Sequence, residues 1–215
     1  MTTRLIFVRH GESEGNLRHC FVGQQDVPLT ERGRAQAQAA AKHLQTVPID
    51  AFYASDLRRA HDTARCIAEA HKAQVIPVKA LREIFAGAWE GRVYGELEAC
   101  YPTEYSTWVH DIGRAQCTGG ESVLHLYERI HCFVDALVKD HAGQTVLCAT
   151  HATPIRALLC RWHGILPENM KDIPWTKNAS LTIAEYHGDG SVAIKAEGDI
   201  SFLPQNLVTY LPSNV

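Results

Sequence analysis

Leu5-Ile6-Phe7-Val8-Arg9-His10-Gly11-Glu12 is an apolar run that stops abruptly at charged, titratable and small residues. Four consecutive apolar positions read as a strand buried on both faces, the pattern of a parallel sheet covered by helices. Open sheets of that kind bind ligands beyond the carboxyl ends of their strands. The reading therefore places the His10 imidazole at a ligand-binding edge. Arg9 can grip an anion by two hydrogen bonds, and Gly11 allows a sharp turn and close approach to a bound group. A histidine so placed is a candidate nucleophile toward phosphorus.

Outward from this strand, strand-like and helix-like segments alternate. Pro28-Leu29-Thr30 opens a helix, with Thr30 as N-cap and an alanine-rich body from Arg34 to Leu44. Ala51–Ala54 reads as a second strand, and Ser55-Asp56 is expected to cap a helix through about Ala70. Val75–Val78 reads as a third strand. The glycine-punctuated stretch from Leu81 to Gly120 is expected to be an irregular excursion over the active face, with a lid over about 84–120. Ser122 to about Lys139 has helical apolar spacing (Val123, Leu126, Ile130, Phe133, Leu137). Thr145–Ala149 is another buried strand, and Thr153-Pro154 starts a helix through Trp162. Ala179–Tyr186 and Ser191–Ala196 alternate around Gly188-Asp189-Gly190, a hairpin. The expectation is one α/β domain over residues 1–215, a three-layer sandwich of a mostly parallel sheet with helices on both faces.

Composition narrows the function. The 215 residues, 46% apolar and 21% charged, suit one ordinary globular domain. A net charge of −3 argues against nucleic-acid or anionic-membrane partners. The seven cysteines are odd in number and widely spaced, with no Cys-x-x-Cys, which argues for reduced thiols and a cytoplasmic protein rather than a disulfide framework or zinc site. No signal peptide or membrane span is read. Oligomeric state is left open, a homodimer included.

Two predicted strands end in histidine, at Arg9-His10-Gly11 and at Thr150-His151-Ala152. In one parallel sheet these ends point the same way, so both imidazoles can share a crevice. The second strand leads into Ser55-Asp56-Leu57-Arg58-Arg59-Ala60 at a helix start, which offers arginine and free backbone N–H groups to a phosphate. Three strand ends thus supply histidine, arginine and histidine to one point. The other ten histidines, His19 and His131 among them, are read as solvated or structural.

These blocks resemble the histidine phosphatase superfamily, in its phosphoglycerate mutase-like branch. The matching stretches are Leu5 to Asn16, Gly23-Gln24-Gln25-Asp26-Val27-Pro28-Leu29-Thr30, Ser55 to Ala60, Leu81-Arg82-Glu83, Gly87-Ala88-Trp89-Glu90-Gly91, Gly120-Glu121-Ser122 and Thr150-His151, in family order, with Asn178-Ala179-Ser180 a weaker echo. The resemblance implies that His10 takes the phosphoryl group and Glu83 is the general acid. It makes Arg9, Arg59 and His151 the clamp on the phosphoryl oxygens, with Asn16, Gly23 and Ala152 at the phosphate site. Arg58 is read as a solvated helix-start charge, and Glu12 and Glu121 as capping residues. A protonated His151 is expected to help the arginines offset transition-state charge. No carboxylate cluster suited to magnesium is seen, so a metal-free mechanism without cofactor is expected. The family commonly has glycine where Ala152 stands; a left-handed backbone there would strain alanine by roughly 1 kcal/mol.

Three activities are compatible with this set: a phosphomonoesterase acting on small phosphorylated metabolites, a cofactor-dependent phosphoglycerate mutase, or a non-catalytic phosphate-binding module. The compact chain favours the first, as does the lack of an arginine and lysine run between Gly91 and Gly119. Every catalytic group is present, which disfavours the third. Tyr94, Tyr101, Tyr105, Trp108 and His110 are expected in a lid that selects the leaving group. The substrate itself stays open among sugar phosphates, phosphoserine, phosphoglycerates, ribazole phosphate and nucleotides.

Overall fold

The structure, a computed structural model, describes residues 1–210. Its sheet holds β1 (Thr2–Arg9), β2 (Ala51–Ala54), β3 (Val75–Pro77), β4 (Thr145–Thr150), β5 (Leu181–His187) and β6 (Val192–Asp199), in the order β3-β2-β4-β1-β5-β6. The strands β3, β2, β4 and β1 run parallel, and β5 and β6 close one edge as an antiparallel hairpin.

Side-chain alternation explains the layers. Leu5 and Phe7 of β1 join Val146 and Cys148 of β4 in one core, with α6 (Val123–Asp140) and α7 (Ala152–Trp162). Ile6, Val8, Leu147 and Ala149 face the opposite core, with α2 (Glu31–Leu44) and α3 (Arg58–Ala70). An unbroken apolar run is needed because both faces are covered. Burying each large apolar side chain contributes roughly 1.5–3 kcal/mol.

Several boundaries differ from expectation for physical reasons. β1 begins at Thr2 because its first residues pair with β5, from Thr2 opposite His187 onward. The hairpin begins at Leu181 rather than Ala179. Ala179 sits at φ +57° and donates its N–H to the carbonyls of Arg9 and His10, so it ties the hairpin to the end of β1 instead of extending it. The Ser55-Asp56 cap is overturned. Leu57 occupies the N-cap of α3, and the Arg58 N–H is satisfied from a distant loop by Asp26 Oδ1 at 2.7 Å. Asp56 instead pairs with Arg82 through two 2.6 Å bonds.

The excursion is more regular than expected. It contains α4 (Tyr94–Cys100) and α5 (Pro102–His110), and a short α1 (Glu14–Leu17) lies near the start of the chain. Trp89, Leu97, Tyr105 and Trp108 are buried in the core shared with α6. Gly11 also meets a packing need. Its φ is not positive, and a Cβ there would lie 2.4 Å from the Gly33 carbonyl oxygen, while one on Gly33 would lie 2.0 Å from the Glu12 oxygen. Glycine lets β1 end against α2. Among the described residues no helix is long and apolar enough to cross a membrane, and all seven cysteines are unpaired.

Candidate active site

Parallel pairing of β1 and β4 sets the site. Arg9 stands opposite Thr150, and the His10 N–H donates to the Thr150 carbonyl at 3.0 Å. The next residue on each chain is a histidine, and the His10 and His151 rings meet edge to face with centroids 5.0 Å apart. On the other side of β4, β2 leads through Ser55 into α3, whose second residue is Arg59.

A cleft of about 160 Å³ opens here, and its walls include Arg9, His10, Asn16, Gly23, Arg59, Glu83 and Ala152. Of the eight residues expected at the site, these seven share one cavity. His151 does not reach the wall; it is fully buried.

His10 is suited to attack. Its Nδ1 lies 2.7 Å from the Gly11 carbonyl, which can only accept, so Nδ1 carries the proton and Nε2 keeps its lone pair. Burial, followed by the charges of Arg59 and Arg9, holds the imidazole well below its ordinary pKa and therefore neutral. Burial, followed by the charges of Arg59, His10, Arg9 and Arg129, likewise holds His151 well below its ordinary pKa. Both His151 ring nitrogens are buried without a partner among the described residues. Buried polar atoms without partners are uncommon and costly.

The cations are aimed by main-chain carbonyls. Arg9 Nη1 donates to the Thr176 carbonyl. Arg59, 1% exposed, donates from Nη1 to Gln25 at 2.8 Å and from Nη2 to Gly23 at 2.7 Å. Burial lowers both guanidinium pKa values, that of Arg59 to about 10, and Glu83 opposes the shift. Both remain charged at neutral pH. Gly23, at φ +53°, lines the cleft and its carbonyl holds Arg59. Arg58 is exposed, as expected.

Glu83 receives the Ile84 N–H on Oε1 at 2.8 Å and the Thr153 N–H on Oε2 at 3.4 Å. Ala152 is the first residue of α7, with an ordinary φ, so alanine is unstrained there and only adds a methyl to the wall. Asn16 accepts Ser13 and Asn178 on its side-chain oxygen, and its amide nitrogen makes no hydrogen bond among the described residues. Glu12 and Glu121 are structural: Glu12 binds Thr30 and Arg32, and Glu121 binds Arg129.

Part of the remaining wall is an apolar stretch formed by Leu17, Phe21, Val22, Tyr94, Trp108 and Trp175. Of the residues assigned to a lid, Tyr94 and Trp108 reach the cleft, Tyr101 and Tyr105 pack into the core, and His110 bonds Ser106 at the surface. Three contributors went unread. His19 lines the cleft on a left-handed backbone (φ +53°), which no local residue pattern signals. Trp175 comes from the segment before the hairpin. Asn178 donates to the His10 carbonyl at 3.1 Å and fixes Asn16 at 3.2 Å; the Asn178-Ala179-Ser180 echo was its signal.

Residues 5–197 match the family model of the histidine phosphatase superfamily (branch 1), and the chain belongs to that family. Phosphoserine phosphatase 1 of Hydrogenobacter thermophilus is 37% identical over 75% of this chain and 77% of its own. The 2,3-bisphosphoglycerate-dependent phosphoglycerate mutase 2 of Gloeobacter violaceus is 36% identical over 79% and 80%. Among solved structures, Bacillus stearothermophilus YhfR superposes with a TM-score of 0.89 at 30% identity, covering 93% of this chain and 98% of that one.

Proposed function

We propose that the protein is a phosphomonoesterase that hydrolyses small phosphorylated metabolites through a phosphohistidine on His10. The observation that carries this reading is a neutral His10, proton tied to the Gly11 carbonyl, beside two buried arginines in one cleft. Arg9, Arg59 and Asn16 hold the phosphoryl oxygens, and His151 donates to them once the dianion is bound. Nε2 of His10 forms a bond to phosphorus as the ester P–O bond breaks, and the leaving oxygen takes the proton of Glu83 in its acid form. Glu83, now a carboxylate, takes a proton from water as that water's oxygen bonds to phosphorus. The N–P bond breaks, its electron pair returns to Nε2, and inorganic phosphate departs. The arginines offset charge on the equatorial oxygens throughout.

The leaving-group wall favours hydrolysis of a weakly charged or aromatic ester. Its guanidiniums are Arg9, Arg59 and Arg32, the first two committed to the phosphoryl group and the third paired with Glu12. A phosphoglycerate needs a further cation for its carboxylate. Chain length carries no weight in this choice, because the mutase-named relative aligns over 175 residues that make up 80% of it. The whole chain acting as one domain, with residues 84–120 covering the cleft, fits the aromatic wall they supply. Unpaired thiols, with Cys117, Cys148 and Cys160 buried, suit a reducing compartment such as the cytoplasm.

A panel of aryl, sugar and amino-acid phosphate esters, followed by phosphate release, tests the reading. The expected result is turnover led by aryl esters. With 3-phosphoglycerate and its bisphosphate, accumulation of isomer in place of free phosphate overturns it.

A further inference from the structure

The acid proposed for the reaction sits two residues beyond a single 3-10 turn, Lys79–Leu81, where regular structure ends. The four consecutive carbonyls from Ala80 to Glu83 accept hydrogen bonds from side chains. Thr150 Oγ1 donates to Leu81 at 2.7 Å, and Gln24 Nε2 donates to Glu83 at 3.1 Å. Every other such bond comes from one guanidinium. Arg129 of α6 donates from Nη1 to Ala80 at 2.7 Å and to Arg82 at 2.9 Å, and from Nη2 to Glu83 at 3.4 Å. Its Nε and Nη2 also bind Glu121 Oε1 and Oε2, each at 2.9 Å. All five N–H donors of the side chain are thereby used, in the fork geometry that only arginine offers.

Glu121 completes the junction. Its carboxylate is 7% exposed, its own N–H donates to the Phe85 carbonyl at 2.7 Å, and Oε2 receives the Phe85 N–H at 3.2 Å. Gly120 permits this docking, since a Cβ there would lie 2.3 Å from the Phe85 oxygen. Glu83 therefore lies between two anchored stretches. Its carboxylate in turn takes the N–H of Ile84, inside the clamped segment, and that of Thr153, outside it.

We propose that Arg129, oriented by Glu121, is a positioning residue that sets the reach of Glu83 toward the leaving oxygen. Arg129 does not line the cleft; its charge is felt by His151, but its hydrogen bonds all go to Glu121 and to main-chain carbonyls. It acts by fixing main-chain carbonyls at and beyond the end of the Lys79–Leu81 turn, where helical partners run out. The inference rests on the acid role given to Glu83. A misplaced acid harms esters whose leaving group needs a proton far more than esters whose leaving group does not.

The test compares wild type, Arg129→Met, Arg129→Lys, Glu83→Gln and the double variant Glu83→Gln/Arg129→Met on an alkyl phosphate and on 4-nitrophenyl phosphate. Arg129→Met is expected to lower kcat on the alkyl ester by about tenfold to a hundredfold, at the low end of an acid's contribution. It should leave the aryl ester and both KM values nearly unchanged. Arg129→Lys should recover part of the loss, because an ammonium reaches some of the carbonyls but cannot span them all. In the Glu83→Gln background the Arg129 change should cost nothing more. Hydrogen exchange at the Ile84 amide should quicken in Arg129→Met while that of Ala149 in β4 does not.

Equal losses on both esters, or additive losses in the double variant, overturn the proposal in favour of general stabilisation. Unchanged exchange at Ile84 overturns the clamp itself. Faster exchange with no leaving-group asymmetry in Glu83→Gln overturns the acid assignment instead. Failure of wild type to hydrolyse either ester overturns the phosphatase reading.

Discussion

The two ends of the cleft are built differently. At the phosphate end His10 leaves the end of β1, His151 leaves β4, and Arg59 stands at the start of α3, with His10 and Arg59 fixed by bonds to main-chain carbonyls of the sheet and its loops. At the leaving-group end the wall is made of aromatic and aliphatic side chains from α1, the loop after it, α4, α5 and the segment before β5. The first end is rigid and charged, and it determines the class of reaction. The second is apolar and belongs to connections, where sequence can change without disturbing the sheet. Chemistry and selectivity thus have separate structural addresses.

The largest break in this contrast is His10→Ala. Removal of a covalent nucleophile costs on the order of a millionfold in kcat. Turnover and acid-labile phosphate labelling should both vanish with the fold intact by circular dichroism; retained labelling would place the nucleophile elsewhere. Next is Arg59→Met, which removes a buried charge from the transition state and should lower kcat by roughly a hundredfold to a thousandfold on every ester. A loss confined to esters with particular leaving groups would show that Arg59 belongs to the other end.

Acidification gives a smaller, graded effect. His10 and His151 are held well below their ordinary pKa, and burial pushes His131 down to about 4. Below about pH 6.5 the unfolded chain binds protons that the folded protein refuses. Acid therefore destabilises the fold, by up to about 1.4 kcal/mol per pH unit for each such histidine. For His131 the loss runs from about pH 6.5 down toward 4. Melting temperature should fall between pH 7 and 5, and less steeply in His131→Gln. The acid limb of kcat/KM should lie below 6.5, since protonation removes the His10 lone pair; a limb at or above that value contradicts a desolvated nucleophile.

The smallest expected effect belongs to the apolar end. Leu17 is 57% exposed on the cleft wall. Leu17→Lys adds a cation where a phosphoglycerate carboxylate would lie. Exposed ion pairs contribute up to about 1 kcal/mol, so kcat/KM for phosphoglycerate should rise by no more than about fivefold while aryl phosphate turnover holds. An unchanged ratio between the two would show that this end does not choose substrates.

The phosphate end was largely legible in the sequence. Strands buried on both faces leave continuous apolar runs, and β2 begins and ends at Ala51 and Ala54 as read. What failed was tertiary. Asp26 caps α3 from more than thirty residues away, so the local Ser55-Asp56 signal misled. Arg129 donates to carbonyls 46 to 49 residues distant, a relation that no period or spacing records. The excursion was read as loop because its glycines outnumber its caps, although Trp89, Leu97 and Trp108 give it a buried face.

The contact between Gly11 and Gly33 has a consequence for how the enzyme can change. Any side chain at either position meets main chain, which no rotamer can sidestep. Relief requires α2 to slide outward until a 2.4 Å approach becomes ordinary contact at 3.4 Å or more, and Gln36, whose Oε1 takes the Glu12 N–H, would travel with it. A saturation scan should thus score both glycines as intolerant although Gly33 meets no substrate. What such a scan would detect there is clearance: two missing methyl groups gauge how far the helix stands from the nucleophile.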